Sequence, residues 1–243
     1  MSFRHTLRNV VERAAGVYIY KDLPRGIELL RDLRIRLSSF QPGTVFDVGA
    51  NVGQSARRFR TWFPSAEIYT FEPAPEAFNA LKAEVAGDNR IHPHQMAMGA
   101  SPGYAPFLAE GTSEMNRVCS SPQAGGPTVQ VEIRTLDDFT KELAIPTVSF
   151  LKIDTEGRDL DVLCGAKRLL ESSAVDLLQV EAGMHHGNTH HVNHLRFYEY
   201  LEPLGYSLFG VYDQAEEWPT HERRLRRANL VFMSRRLVEA TRG

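Results

Sequence analysis

Hydrophobic positions in this chain change their period as the sequence advances. Leu7, Val10, Val11 and Ala14 share one side of a 3.6-residue repeat and predict a short amphipathic helix over 3–16. Pro24 interrupts, and Ile27, Leu30, Leu33 and Leu37 then recur at near-helical spacing up to Phe40. Past the turn at Pro42-Gly43 the pattern becomes a short apolar run, 44–48, that carries Asp47 and is of the kind found in a strand buried on both faces. A helix over 54–63, stopped by Pro64, follows, with Ala56, Phe59, Trp62 and Phe63 as its apolar positions. The alternation repeats as strand 68–71, helix 75–85 and strand 91–96. Gly, Pro and Ser then break the rhythm across 103–134, where two antiparallel strands are expected at 104–109 and 128–134. It returns as strand 147–153, helix 159–171, strand 175–181 and helix 192–203, and strands 206–212 and 228–234 close the chain without a helix between them. Strand–helix repetition of this kind predicts an α/β fold with a mostly parallel sheet covered on both faces, and the last pair predicts an antiparallel edge strand.

Composition adds limits to this picture. The chain has 243 residues, is 42% hydrophobic and 24% charged, and so reads as one globular domain rather than a disordered or fibrous chain. Its 28 basic and 30 acidic side chains give a net charge of −2, which argues against a nucleic-acid partner. Residues 1–40 are locally basic, with eight basic against four acidic groups, and read as a helical extension to a domain spanning 41–243. That extension is expected to cover a substrate cleft or to pack against a second subunit in a homodimer. The longest apolar stretch near the start, 14–20, is too short to span a membrane or to form a signal-peptide core, so a cytoplasmic protein without a membrane partner is expected. Cys119 and Cys164 form no metal-type or redox pair.

Chemistry concentrates where strands are expected to end, because ligands of open α/β sheets bind outside the carboxyl ends of the strands. The first strand runs into Asp47-Val48-Gly49-Ala50-Asn51-Val52-Gly53. Its glycines allow a tight turn and a close helix, but Asn51 stands where the nicotinamide fingerprint has its second glycine. A carboxylate at Asp47 suits an amine-bearing ligand better than a pyrophosphate. The second strand ends in Glu72-Pro73, about where a ribose diol would lie, and the fourth ends in Asp154-Thr155-Glu156-Gly157. Glu156 reads equally as a helix cap or as the partner of an arginine.

Four blocks, FDVGANVGQ at 46–54, YTFEP at 69–73, RTLDDF at 134–139 and FLKIDTEGRDLDVLCGA at 150–166, follow in order. Together they resemble the FkbM family of S-adenosylmethionine-dependent methyltransferases, over roughly residues 41–235. The resemblance implies a class I methyltransferase (Rossmann-like) fold, with a seven-stranded sheet and an antiparallel last strand. It implies methyl transfer to a hydroxyl of a sugar, an oligosaccharide or a glycosylated natural product. Carried onto this sequence, it places Asp47, Gly49, Ala50, Asn51 and Gly53 around the methionine part of the cofactor, with Asp47 either receiving the amino group or orienting the loop. Glu72, beside Pro73, would take the ribose hydroxyls, and Met96 and Ala97, with Met98, would line the adenine, though methionines there also serve as core filling. Asp154 would point toward the transferable methyl group.

A sugar hydroxyl needs help losing its proton, and the sequence offers several groups. Glu181 ends the strand after Asp154, so the two carboxylates are expected to hold a Mg²⁺ ion between them. Glu156, His185 or His186 would then take the proton, the histidines belonging to a stretch with five of the nine histidines in ten residues. His190, His191 and His194 are expected to start the next helix or to line the substrate channel. Arg223-Arg224-Leu225-Arg226-Arg227, flanked by acidic residues, reads as a solvated loop, and Trp218, Tyr198 and Tyr200 could stack on sugar rings or belong to the core. The alternatives are a phenolic or carboxylate acceptor, or a nicotinamide enzyme or non-catalytic binding protein on a related fold.

Overall fold

The computed structural model describes residues 10–20, 22–108, 117–118 and 128–242. Residues 10–15 are helical, and α1 (Leu29–Arg36) leads into β1 (Thr44–Val48). The chain continues as α2 (Gln54–Trp62), β2 (Glu67–Phe71), α3 (Pro75–Glu84), β3 (Ile91–His94), β4 (Ala97–Met98), β5 (Gly103–Leu108), β6 (Arg117–Val118) and β7 (Thr128–Arg134). Then come α4 (Leu136–Glu142), β8 (Val148–Ile153), α5 (Asp159–Cys164), α6 (Lys167–Glu171), β9 (Val175–Gly183), α7 (His194–Leu201), β10 (Tyr206–Glu216), β11 (Leu225–Ser234) and α8 (Arg235–Ala240).

Seven strands form the main sheet in the order β10-β11-β9-β8-β1-β2-β3. β1 pairs in parallel with both β2 and β8, and β9 in parallel with β8. Each of these strands is buried on both faces, which is why the alternating pattern of a half-exposed strand is missing from them. Neighbours in β1 show the division: Val45 and Phe46 are both fully buried, in two different clusters. Phe46 packs edge-on against Phe71 and Phe139 with ring centroids 5.5 and 5.8 Å apart. Val45 shares its cluster with Phe59, Phe150 and Val231, and Leu29, Leu30 and Leu33 of α1 enter that same cluster. Val10, Val17 and Tyr18, earlier in the chain, are exposed.

The closing strands correct one expectation. β11 is antiparallel to both β9 and β10, so the antiparallel strand lies inside the sheet, and the edge belongs to β10. Three other expectations shift for local reasons. The helix expected over 159–171 breaks into α5 and α6 at Gly165, whose close approach to Gly99 leaves no room for a side chain; a Cβ there would sit 2.0 Å from the Gly99 carbonyl oxygen. The strand expected over 91–96 stops at His94, and residues 97–98 join a second, four-stranded sheet of order β4-β7-β5-β6. α4 was not expected, although its signal is local: Thr135 caps it by accepting from the Asp138 backbone N–H at 3.0 Å. Among the described residues, no helix is long and apolar enough to cross a membrane. Cys119 lies outside the described residues; Cys164 is a free, exposed thiol.

Candidate active site

The carboxyl ends of β1, β2, β8 and β9 open into one cleft of about 620 Å³, within the range of small-molecule sites. Its floor is the turn after β1. Gly49 has φ +80°, and a Cβ there would lie 1.8 Å from the Asp154 carbonyl oxygen, so the two strand ends can meet only with glycine at this position. Glu72 leaves β2 beside this turn and is buried, at 5% exposure. Its Oε2 accepts from the Asn51 backbone N–H at 2.9 Å and its Oε1 from the Ala74 N–H at 2.8 Å. Burial pushes the carboxyl up in pKa, while those two N–H groups pull it back. Gly49, Ala50, Asn51 and Pro73 line the cleft around Glu72, and Met96, Ala97, Met98 and Phe107 form an apolar wall on the β3 side. Gly53 opens α2 from a left-handed conformation, outside the lining.

Asp47 is fully buried beneath the turn and does not line the cleft. Its register partner on β8 is Lys152, whose Nζ lies 3.3 Å from Asp47 Oδ1 and 3.2 Å from Asp154 Oδ2. Burial alone would lower the pKa of this ammonium, but Asp154 and Asp47 overcome it and hold the group above its ordinary value. Burial pushes the Asp47 carboxyl up, against the attraction of Lys152. Sequence reading passed over Lys152. The signal was available, because residues two apart on a strand share a face, and Lys152 therefore points where Asp154 points.

Asp154 and Glu156 lie on the turn that follows β8, and both line the cleft. Glu156 holds φ at +51°, a conformation that non-glycine residues rarely adopt and that recurs at functional sites. Burial, then the nearby charges of Asp154 and Glu181, push its pKa up to about 7. Asp159, buried behind it, is raised to about 7 mainly by burial and then by Asp154.

Glu181 closes this side. Its Oε2 lies 2.7 Å from His191 Nε2, and its Oε1 accepts from Arg227. Burial works to lower the His191 pKa, but the hydrogen bond and charge of Glu181 outweigh it, and the ring is held above its usual value. Asn188, itself buried, fixes the histidine loop: its Oδ1 accepts from the backbone N–H groups of His190 and His191 at 3.0 and 3.2 Å, and its Nδ2 donates to the Arg226 carbonyl at 2.9 Å.

The histidine stretch follows the expectation for His190, His191 and His194 and departs from it for His185 and His186. His190 and His191 line the cleft, and His194 is the first residue of α7. His185 and His186 are not among the lining residues, and His185 instead sits 2.6 Å from Glu217 through Nε2. Glu217, 3% exposed, also accepts from Arg226 Nη1 at 3.1 Å. The arginine stretch read as a solvated loop lies partly on β11, where Arg226 and Arg227 line the cleft. The Arg226 guanidinium sits over the ring of Trp218, 4.6 Å from its centroid, and that indole is 54% exposed at the cleft. Tyr198 and Tyr200 pack against the core; Tyr198 meets Phe232 edge-on at 5.3 Å.

The expected Mg²⁺ site between Asp154 and Glu181 does not match this geometry. Both carboxylates line the cleft, yet each already faces a cation, Lys152 for Asp154 and Arg227 for Glu181, and His191 Nε2 occupies the other Glu181 oxygen. A hard divalent ion wants several free oxygen ligands, and cationic side chains beside them repel it. Among the described residues, no group of three or more His, Cys, Asp or Glu side chains could hold a metal ion.

Comparison with known proteins fits this arrangement. The chain is 26% identical over 142 residues to the 2-O-methyltransferase NoeI of Sinorhizobium fredii, covering 52% of this chain and 58% of that protein. It is 26% identical over 171 residues to the hexuronic acid methyltransferase AglP of Haloferax volcanii, covering 64% of this chain and 66% of that protein. The chain thus spans about six-tenths of the length of the curated relatives it matches. Among solved structures, the Aeropyrum pernix fibrillarin in complex with S-adenosyl-L-methionine superposes with a TM-score of 0.47 at 14% identity, covering 79% of this chain and 66% of that one. The Methyltransferase FkbM domain matches residues 47–208, which contain the Gly49 turn, Glu72, Asp154, Glu156 and Glu181. With its seven-stranded, mostly parallel sheet, the chain belongs to the FkbM methyltransferase family.

Proposed function

We propose that the chain binds S-adenosylmethionine in this cleft and transfers its methyl group to a hydroxyl of a sugar, an oligosaccharide or a glycosylated natural product. The observation that carries this reading is the Glu72 carboxylate. Two backbone N–H groups fix it at the end of β2, and each oxygen keeps a second lone pair for a ribose hydroxyl. The other residues fit the same ligand: the apolar wall of Met96, Ala97, Met98 and Phe107 suits adenine, and Asn51 brings a buried Oδ1 that has no partner among the described residues. When bound, the cofactor supplies a methyl group on a sulfonium, whose S–C bond breaks as the bond to the acceptor oxygen forms.

The protein's own residues have three tasks: to orient the acceptor, to exclude water and to take its proton. Glu156 suits the last, because a carboxyl near pKa 7 is half ionised at neutral pH and can both take and release a proton. His191 is instead engaged by Glu181, its Nε2 2.7 Å from the Glu181 Oε2. Trp218 offers the exposed face on which a sugar ring can stack, with Arg226 behind it. The printed activities of the two relatives, a 2-O-methylation and the methylation of a hexuronic acid, support an oxygen acceptor and a sugar. Calorimetric titration with S-adenosylhomocysteine and with NAD tests the cofactor: micromolar binding of the first alone supports the reading, and binding of NAD alone overturns it.

A further inference from the structure

Lys152 is a buried cation that the reading above leaves without a task. Its side chain is 10% exposed, yet it lines the cleft. An ammonium carries three N–H donors. Asp47 and Asp154 lie within reach of two of them, and because Lys152 lines the cleft, a ligand bound there can take an N–H as well.

The order of the strands says which part of the ligand arrives there. Glu72 ends β2; β1 is next to β2, and β8 is next to β1. Lys152 and Asp154 therefore lie about two strand spacings, on the order of 10 Å, from the ribose position. The apolar wall lies on the opposite, β3 side of Glu72. A nucleoside whose base faces that wall and whose ribose meets Glu72 must extend its 5′ substituent over the Gly49 turn toward β8.

At that end Lys152 and Asp154 present one positive and one negative group 3.2 Å apart, a pair complementary to a zwitterion. We infer that Lys152 donates an N–H to the α-carboxylate of the cofactor's amino-acid end while Asp154 accepts from its α-ammonium, an inference that rests on the S-adenosylmethionine reading. Asp47 then has a positioning role: fully buried beside Lys152, it anchors the ammonium from below. The lysine keeps its proton throughout, since both neighbouring carboxylates raise its pKa, and so acts as a recognition group and not as a base.

The test uses ligands that lack one group at a time. Calorimetry on the wild-type protein, on Lys152→Met and on the double variant Asp47→Asn/Lys152→Met would measure S-adenosylhomocysteine, its decarboxylated analogue and 5′-methylthioadenosine, which has no amino-acid end. The wild type is expected to favour S-adenosylhomocysteine over the decarboxylated analogue by tenfold or more. In both variants that preference should fall to within twofold, while affinity for 5′-methylthioadenosine changes by less than twofold. The double variant removes both charges of the buried pair, so it carries the test if Lys152→Met alone does not fold. Retention of the preference in the variants would overturn the inference. Equal weakening of all three ligands would also overturn it, by reducing Lys152 to a counter-charge for Asp47. A wild type that binds none of the three would overturn the cofactor reading itself and with it this inference.

Discussion

His185 Nε2 meets Glu217 Oε2 at 2.6 Å and so ties the loop after β9 to the loop joining β10 and β11. Glu217 holds Arg226, and Arg226 lies over Trp218, so this contact supports the proposed acceptor platform from behind. His185→Ala is expected to raise the acceptor KM several-fold while leaving kcat within about threefold and S-adenosylhomocysteine affinity unchanged. The lost hydrogen bond should also lower Tm. A collapse of kcat at constant KM would instead make His185 the base.

Glu156 predicts the pH behaviour. In the free enzyme, kcat/KM should rise with pH through a midpoint near 7, as the carboxylate forms, and Glu156→Gln should abolish that limb with a loss of about 10²–10⁴-fold in rate. Stability moves the other way. The folded pKa lies above the unfolded value, so the native state binds more protons between the two, and this group's contribution falls as pH rises from about 4.5 to about 7. Glu156→Gln should therefore raise Tm more at pH 8 than at pH 4. A kcat/KM profile without that limb in the wild type would remove Glu156 from the chemistry.

Removing the proposed ribose acceptor gives a third expectation. Glu72→Ala should weaken S-adenosylhomocysteine by about 1.5–3 kcal/mol, the range for charged hydrogen bonds. It should also loosen the Gly49 turn, since the Asn51 and Ala74 N–H groups lose their acceptor. Glu72→Gln keeps one amide oxygen and should fall between the two. Undiminished binding in folded Glu72→Ala would place the ribose elsewhere.

Chelation addresses the metal expectation. With Asp154 held by Lys152, and Glu181 by Arg227 and His191, activity should survive exhaustive EDTA treatment. Loss of activity restored by Mg²⁺ would show that these ion pairs open to admit a cation.

The parallel strands were legible because strands buried on both faces are mainly apolar, and 44–48 and 147–153 are, with Val45, Phe46, Val48, Val148, Phe150, Leu151 and Ile153 buried around the few polar residues, among them Asp47 and Lys152. The cleft floor was legible too: Gly49, Glu72 and Asp154 each stand at or just beyond a strand end, where local pattern predicts a ligand edge. What sequence reading missed depends on register between distant strands. Asp47 and Lys152 are 105 positions apart and become neighbours only through the β1–β8 pairing. Likewise Glu181 acquires Arg227 and His191 as partners through the insertion of β11 beside β9 and the folding of the Asn188 loop. Composition around 223–227 suggested a solvated loop because nothing local says which arginine will meet a buried carboxylate.

The central claim is methyl transfer from S-adenosylmethionine to a hydroxyl at this cleft. The most direct measurement incubates the purified protein with cofactor carrying a ¹³C-labelled methyl group and a panel of neutral and acidic sugars, phenols and carboxylates, and locates the label by NMR. The account predicts an O-methyl signal on a sugar hydroxyl, present with the wild type and lost in Glu156→Gln. Label found only on a phenol or a carboxylate, or turnover unchanged in Glu156→Gln, would contradict it.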